Sequence, residues 1–412
     1  MTRPVVVVVY SEGAATPLEL AADADGFELV FAAPVGRMRP GLRELLETIG
    51  HVVDLTDEEA GIAALAARSP AGIVSFSDRD LPLTARVARR LGLTYHSEDA
   101  VAAATDKFEQ RRRLRDAGLR VPRFAVIDRP EQVVAALTEV GTPAVLKPTR
   151  GAASWHVYRV DGPEDALRCA TEAFAHGFAE RFVLEEMLIG SPDGAGPGFG
   201  DYVSAELLFW RGTVAYQVVN GRLPLVEPFR ERGFVMPAPL SRADQDEVCR
   251  QAAAACLALG LRDGWMDVEL KLTAEGPVVI EVNGRLGGYV AMLLYRSCGV
   301  EAVRLAFDVA AGREPVDPGR PHHSVSFGYQ ILPPVGDWRL ASWGDLGGLA
   351  AEHPEIRSVV LQVDPGEPVD WRAGSEGTLG VVEGVAERTE AVMAAVQAVE
   401  KAVAEQVVFS PM

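Results

Sequence analysis

The densest grouping of chemically useful side chains falls in WMDVELKLTAEGPVVIEVNGRLGG (265–288), which carries Asp267, Glu269, Glu281, Asn283 and Arg285. Apolar residues alternate with these polar ones, as in two half-buried strands. A three-residue turn at Ala274-Glu275-Gly276 sets Thr273 opposite Pro277, Glu269 opposite Glu281 and Asp267 opposite Asn283. Directly opposed side chains stand only about 5 Å apart, and two carboxylates there repel. A divalent cation relieves that repulsion; magnesium uses one or two carboxylates together with phosphate oxygens. Strand period two puts Glu281 and Asn283 on one face, while Met266, Val268, Leu270, Val278, Ile280 and Val282 fill the other. A four-residue turn would dissolve this pairing. Taken singly, each polar residue suits any wetted sheet face; their opposition within two well-specified strands points to a metal.

Other groups could serve the same chemistry. Arg285 follows the second strand by two residues, placed to anchor a carboxylate or steady an oxyanion. Gly287-Gly288 permits close backbone approach to a ligand, although a plain turn explains two glycines equally well. Lys107 opens a helix in TDKFEQRRRLRDAGLRVP (105–122), with Thr105 as its cap. Lys147 ends a strand in AVLKPTRGAAS (144–154), ahead of a small-residue loop that could offer N–H groups to phosphate. No G-x-x-x-x-G-K-S/T occurs, so this is not a Walker A loop. The run Arg111–Arg113 with Arg115 reads as a wet helix face and receives no function.

These groups need positioning elements. Residues 1–96 alternate strands (Val5–Tyr10, Val52–Asp54, Gly72–Ser75) with helices, the pattern of a parallel, Rossmann-like α/β layer. The first turn, Ser11 to Ala15, lacks the three-glycine dinucleotide spacing, so NAD binding is not supported. From 97 to about 190 a compact α+β unit is expected, with strands 123–128, 144–147, 155–160 and 182–187 and helices 131–140 and 164–174. The glycine- and proline-rich stretch 190–200 reads as a connection. Strands 202–210 and 213–219, a helix 243–259, the hairpin and a helix 300–311 follow. Prolines at 315, 318 and 321 mark a boundary before an α+β tail that ends in an amphipathic helix.

Composition narrows the function classes. A chain of 412 residues suggests two or three domains, and 48% apolar with 24% charged residues is ordinary for a globular protein. A formal charge of −18 disfavours nucleic acid and anionic membrane surfaces as partners. Cys169, Cys249, Cys256 and Cys298 form no C-x-x-C pair, which fits small core residues in a reducing cytoplasm. The apolar stretches are too short for a membrane span or a signal peptide.

In their order, the lysine at a helix start, AG-x-x-VP, V-L-K-P, FVLEEMLIG, DYVSAELLF and D-V-E…I-E-V-N-G-R-L-G-G resemble the ATP-grasp superfamily, in particular its carboxylate–amine ligases of the L-amino-acid ligase type. The resemblance spans about residues 97–312. It implies an α/β and α+β architecture: an ATP-grasp fold with an N-terminal Rossmann-like domain (1–96), an ATP-grasp domain (97–312, its lid at about 122–190) and a C-terminal α+β region (313–412). It further implies that Lys107 and Lys147 hold ATP phosphates with Ser154 over them. Glu185 to Leu188 would meet adenine, through the backbone of Glu186 and Leu188, and Asp201 would reach ribose in place of the more usual glutamate. Glu269, Glu281 and Asn283 would hold magnesium, or manganese in its stead, against the nucleotide. Arg285 would face the reacting carboxylate, with Glu231, Gly287 and Gly288 bordering the substrate.

The implied activity is ATP-dependent amide formation through an acyl phosphate, on a small carboxylate and a small amine such as amino acids or peptides. Other readings are a purine-biosynthetic or carboxylase-type ATP-grasp reaction, or an ATP-binding regulator without turnover. A homodimer is expected by analogy with the family. The sequence departs from the family pattern at Trp155 and His156 in the phosphate loop, at Asp267 where relatives often have histidine, and at Phe234. These departures leave the substrates open.

Overall fold

The computed structural model describes residues 3–412 apart from 152–154, 178, 192 and 318. Four parallel strands form the amino-terminal sheet in the order His51–Asp54, Glu28–Ala33, Val5–Val9, Gly72–Ser75. The valine run at 5–9 suits a strand covered on both faces; Val6, Val7, Val8 and Val9 are buried. Glu28–Ala33 lies beside it and is a strand the sequence analysis does not single out. Its apolar run FELVFAAPV lacks the alternation that marks a half-buried strand, because here too both faces are covered.

Strand order reverses between Val5–Val9 and Gly72–Ser75, and crevices at the carboxyl ends of strands beside such a reversal are where open α/β sheets bind ligands. The loops there are tied together. Asp80 Oδ2 accepts from Ser11 N at 2.7 Å and from Ser11 Oγ at 2.6 Å. A Cβ at Gly13 would lie 2.4 Å from the Phe76 carbonyl oxygen, so the first turn needs glycine to close against its neighbour.

A second four-stranded sheet, antiparallel, orders Phe124–Ile127, Phe182–Glu186, Ala144–Pro148 and Tyr158–Val160. Helices Val133–Val140 and Pro163–Ala175 bury its apolar face around Leu137, Leu146, Ala166 and Phe182. This unit occupies the span expected for a lid.

The third sheet has eight strands: Gly276–Asn283, Gly264–Thr273, Tyr202–Trp210, Thr213–Arg222, Gly233–Met236, Val325–Ile331, Gly380–Ala386 and Ile356–Leu361. Strands of the tail therefore extend the sheet that carries the hairpin. Helix Arg242–Leu259 packs on one face over Val203, Ala205, Met266 and Val268, and helix Thr389–Gln406 continues that layer over Phe327 and Val382. Helices Val290–Cys298 and Ala302–Ala310 cover part of the opposite face, over Leu208, Val218 and Met236. By register, the side chains of Glu269, Ser204 and Asn220 share that opposite face with Asp267 and Glu206. The four cysteines are buried and free. Among the described residues no helix is long and apolar enough to cross a membrane.

Candidate active site

The hairpin pairs Glu269 with Glu281 and Asp267 with Asn283, as the residue pattern suggests, but by another route. Thr273 pairs with Gly276 rather than Pro277, so the turn is Ala274-Glu275, one residue shorter than expected. A β-bulge between Glu269 and Leu270 then leaves Ile280 as the extra residue opposite and restores the register. The bulge also changes which side chains are buried. Val279 joins Met266, Val268, Leu270 and Val282 in the core, whereas Ile280 is only half-buried.

Glu269 stands in an acidic neighbourhood. Burial, followed by the charges of Glu231 and Asp267, pushes its carboxyl up to about 8. Asn283 donates through Nδ2 to Asp267 Oδ2 at 3.3 Å, which leaves its amide oxygen as a donor to a cation. Among the described residues no group of three or more His, Cys, Asp or Glu forms a metal cage. Two carboxylates and an amide oxygen instead match magnesium, which completes its shell with water and phosphate.

Two lysines converge on the hairpin. Lys107 opens helix Lys107–Asp116, whose cap is Asp106 rather than Thr105: Asp106 Oδ1 accepts from the N–H of Phe108 at 3.1 Å and of Glu109 at 3.2 Å. Thr105 ends the preceding helix instead. Lys107 Nζ lies 2.8 Å from Glu281 Oε1 and donates to the Gly151 carbonyl at 2.7 Å. Lys147 Nζ lies 2.8 Å from Glu185 Oε2. Burial pulls the Lys147 ammonium down, and the charge of Glu185 opposes that pull.

Arg111 is a partner that the sequence analysis assigns to solvent. It is 1% exposed, and its Nε lies 2.9 Å from Glu185 Oε1. Arg112, Arg113 and Arg115 do reach solvent. The available signal was spacing, since Arg111 follows Lys107 by one helical turn and shares its face. Burial alone would raise the Glu185 carboxyl, but Arg111 and Lys147 outweigh it and hold the group below its ordinary range.

At the edge of the second, antiparallel sheet, Glu186 N donates to Arg123 O at 2.8 Å and Met187 N to Pro143 O at 3.0 Å. The Leu188 N–H has no hydrogen-bond partner among the described residues. The Glu186 side chain is turned to Arg123, with Oε2 3.0 Å from its Nε. Asp201 lies near this edge and is held by Lys271 at 2.6 Å, a partner the sequence analysis does not name. Ser154 lies outside the described residues. Just beyond it, Trp155 Nε1 donates to Ala373 O at 2.6 Å, so the loop touches the tail.

Arg285 stands at the far end of the hairpin. Its Nε and Nη2 donate to Asp78 Oδ2 at 2.9 and 2.6 Å. Its Nη1 donates to Asp267 Oδ2 at 2.9 Å and to Leu286 O at 3.1 Å. Gly287 N donates to Glu206 Oε2 at 3.0 Å, and a Cβ on Gly287 would lie 2.4 Å from Glu206 Oε1. A side chain at Gly287 would therefore press on a buried carboxyl, whereas Gly288 has open space around it. Burial, then the Asp267 charge, pushes Glu206 well above the usual carboxylate range. Glu231 pairs with buried Arg222 at 3.2 Å, and Arg222 also donates to Ser204 Oγ at 2.6 Å. Since Ser204 pairs with Glu269, Glu231 borders the carboxylate face.

A carboxylate hairpin, two lysines from neighbouring elements and a separate four-stranded sheet thus lie close together. Residues 140–292 match the ATP-grasp domain family. The whole chain superposes on the L-amino acid ligase from Bacillus licheniformis with a TM-score of 0.78 and 20% identity, covering 100% of this chain and 99% of that one. The chain thus takes the ATP-grasp fold.

Two curated relatives are similar in sequence. Human carnosine synthase 1 is 30% identical over 271 residues, 61% of this chain and 32% of that protein. Alanine--anticapsin ligase of Bacillus subtilis is 27% identical over 239 residues, 55% of this chain and 50% of that protein. The matches thus span about a third and a half of these relatives' lengths.

Proposed function

We propose that the chain is an ATP-dependent carboxylate–amine ligase that forms an amide bond between amino acids or small peptides and releases ADP and phosphate. The observation that carries this reading is the opposed pair Glu269 and Glu281, with Asn283 on the same ladder and Lys107 in contact with Glu281. Lys147 is close enough to feel the charges of both Glu281 and Lys107. The names of the relatives agree with it.

A carboxylate is a poor electrophile because its charge repels an amine. Attack of its oxygen on the γ-phosphorus of ATP gives an acyl phosphate and ADP. The amine then adds to the acyl carbon, phosphate leaves, and the amine nitrogen loses a proton. Glu269, Glu281 and Asn283 would hold magnesium, which supplies charge neutralisation to the phosphates when bound. Lys107 and Lys147 would bind phosphate oxygens, and Ser154 would lie over them. The Leu188 N–H and the Glu186 carbonyl would meet adenine, with Glu185 beneath them, while Asp201 would reach ribose. Arg285 would stabilise the oxyanion formed on amine attack. Glu231, Gly287 and Gly288 would border the substrates. A closed lid sheet would keep water from the acyl phosphate.

The deciding experiment is phosphate release from MgATP across all amino-acid pairs, with bicarbonate and formate as alternative acids, followed by mass measurement of the product. Turnover with one pair, and a product lighter than their sum by one water, is expected. Phosphate release only with bicarbonate or formate would replace this reading by a carboxylase- or purine-type reaction. Nucleotide binding with no ADP across the panel would replace it by a regulatory role.

A further inference from the structure

We infer that Asp78, in the turn that follows strand Gly72–Ser75 of the amino-terminal sheet, is a positioning residue that sets which N–H of Arg285 is offered to the reacting group; this rests on the ligase reading above. A guanidinium has five N–H donors. Asp78 takes one from Nε and one from Nη2, while Asp267 and the Leu286 carbonyl take two from Nη1. One N–H on Nη2 is left. Arg285 as held here does not grip a substrate carboxylate with a two-pronged fork, the usual way arginine binds that group. It presents a single, aimed donor, which suits an oxyanion that forms during the reaction.

The support behind Asp78 is built for accuracy. Asp78 follows strand Gly72–Ser75 at the carboxyl-end crevice where strand order reverses. Two residues on, Asp80 is pinned by Ser11 through two hydrogen bonds, and Gly13 lets the first turn close on Phe76. On the other side, Asp267 holds both Arg285 and Asn283. An unbroken chain of contacts, Asp78–Arg285–Asp267–Asn283, therefore joins the amino-terminal sheet to the hairpin.

Asp78→Ala and Asp78→Asn separate this role from an ordinary interdomain ion pair. With MgATP and the fastest amino-acid pair from the phosphate-release screen, Asp78→Ala should lower kcat by about 100-fold, the scale of a misplaced catalytic group. Its KM for ATP should stay within about twofold of the parent, because nucleotide binding is untouched. Asp78→Asn keeps an acceptor oxygen and should recover most of the loss. Wild-type kcat in Asp78→Ala, or equal losses in both variants alongside a lowered Tm, would overturn the inference.

A second measurement needs no turnover. The Arg285 Nε–H resonance, assigned by its disappearance in Arg285→Lys, should exchange slowly in the parent and in Asp78→Asn and rapidly in Asp78→Ala. An unchanged resonance in Asp78→Ala would overturn the proposed contact. If no amino-acid pair is turned over, the ligase reading falls on the screen, while the hold of Asp78 on Arg285 is still judged by this resonance.

Discussion

Lys107 Nζ lies 2.8 Å from Glu281 Oε1, joining the first turn of one helix to the bulged strand of the hairpin. A side chain expected to hold phosphate and one expected to hold magnesium thus hold one another. On the proposed reading, nucleotide binding would redistribute that pair, with Lys107 moving to a phosphate oxygen and Glu281 to the cation. Glu281→Ala is expected to reduce ADP formation by about 100-fold or more, the scale of losing one electrostatic stabiliser, while circular dichroism stays that of the parent.

Arg285→Lys retains the charge but not the planar fork. Since the guanidinium spans Asp78 and Asp267, an ammonium has no geometry that meets both. Turnover is expected to fall by at least about 10-fold with KM for ATP unchanged, since the proposed transition-state contact would be lost and nucleotide binding would not. Steady-state kinetics at saturating amino acids provide the check.

Glu185 is held between Lys147 and Arg111, all three nearly inaccessible to water. Removing one partner from such a group leaves uncompensated buried charge, at a cost of about 3–5 kcal/mol. Glu185→Ala should therefore show a much lower urea midpoint. Arg113→Ala, which breaks a pair with largely exposed Asp99, should change stability by less than about 1 kcal/mol.

His96 gives the protein an acid-sensitive stability. Burial pulls its imidazole down to about 4, from an ordinary 6.5. Above pH 6.5 both folded and unfolded chains carry it neutral, and the stability is fully present. As pH falls from 6.5 toward 4 only the unfolded chain takes up the proton, so about 3 kcal/mol is lost over that window. Urea titrations at pH 7 and 4.5 should show a smaller difference in His96→Gln than in the parent.

Amide formation needs an unprotonated amine. With chemistry limiting, turnover should rise between pH 7 and 9 as the free-amine fraction grows. A rate that stays flat across that range would count against amine attack as the limiting step.

Much of this architecture was legible in the residues. Alternation at 266–282 marked two strands, and the order of short motifs indicated the ATP-grasp fold before any contact was known. The opposition of Glu269 and Glu281 was also legible, although the turn assumed for it was one residue too long and the bulge at Ile280 made up the difference. Local periodicity specifies which side chains share a face, but a bulge depends on how both strands pack, so Val279 rather than Ile280 enters the core.

The residues read as solvated or left aside are those whose partners lie far along the chain. Arg111 reaches Glu185 across 74 residues, and Arg285 reaches Asp78 across 207. An arginine in a basic run looks the same in sequence whether water or a carboxylate surrounds it. The sequence alone determined the strand pattern, the order of the motifs and the chemical types at the site. Tertiary structure decided which charges face one another, because burial removes water as the alternative partner and leaves only those groups that the fold brings within hydrogen-bond distance.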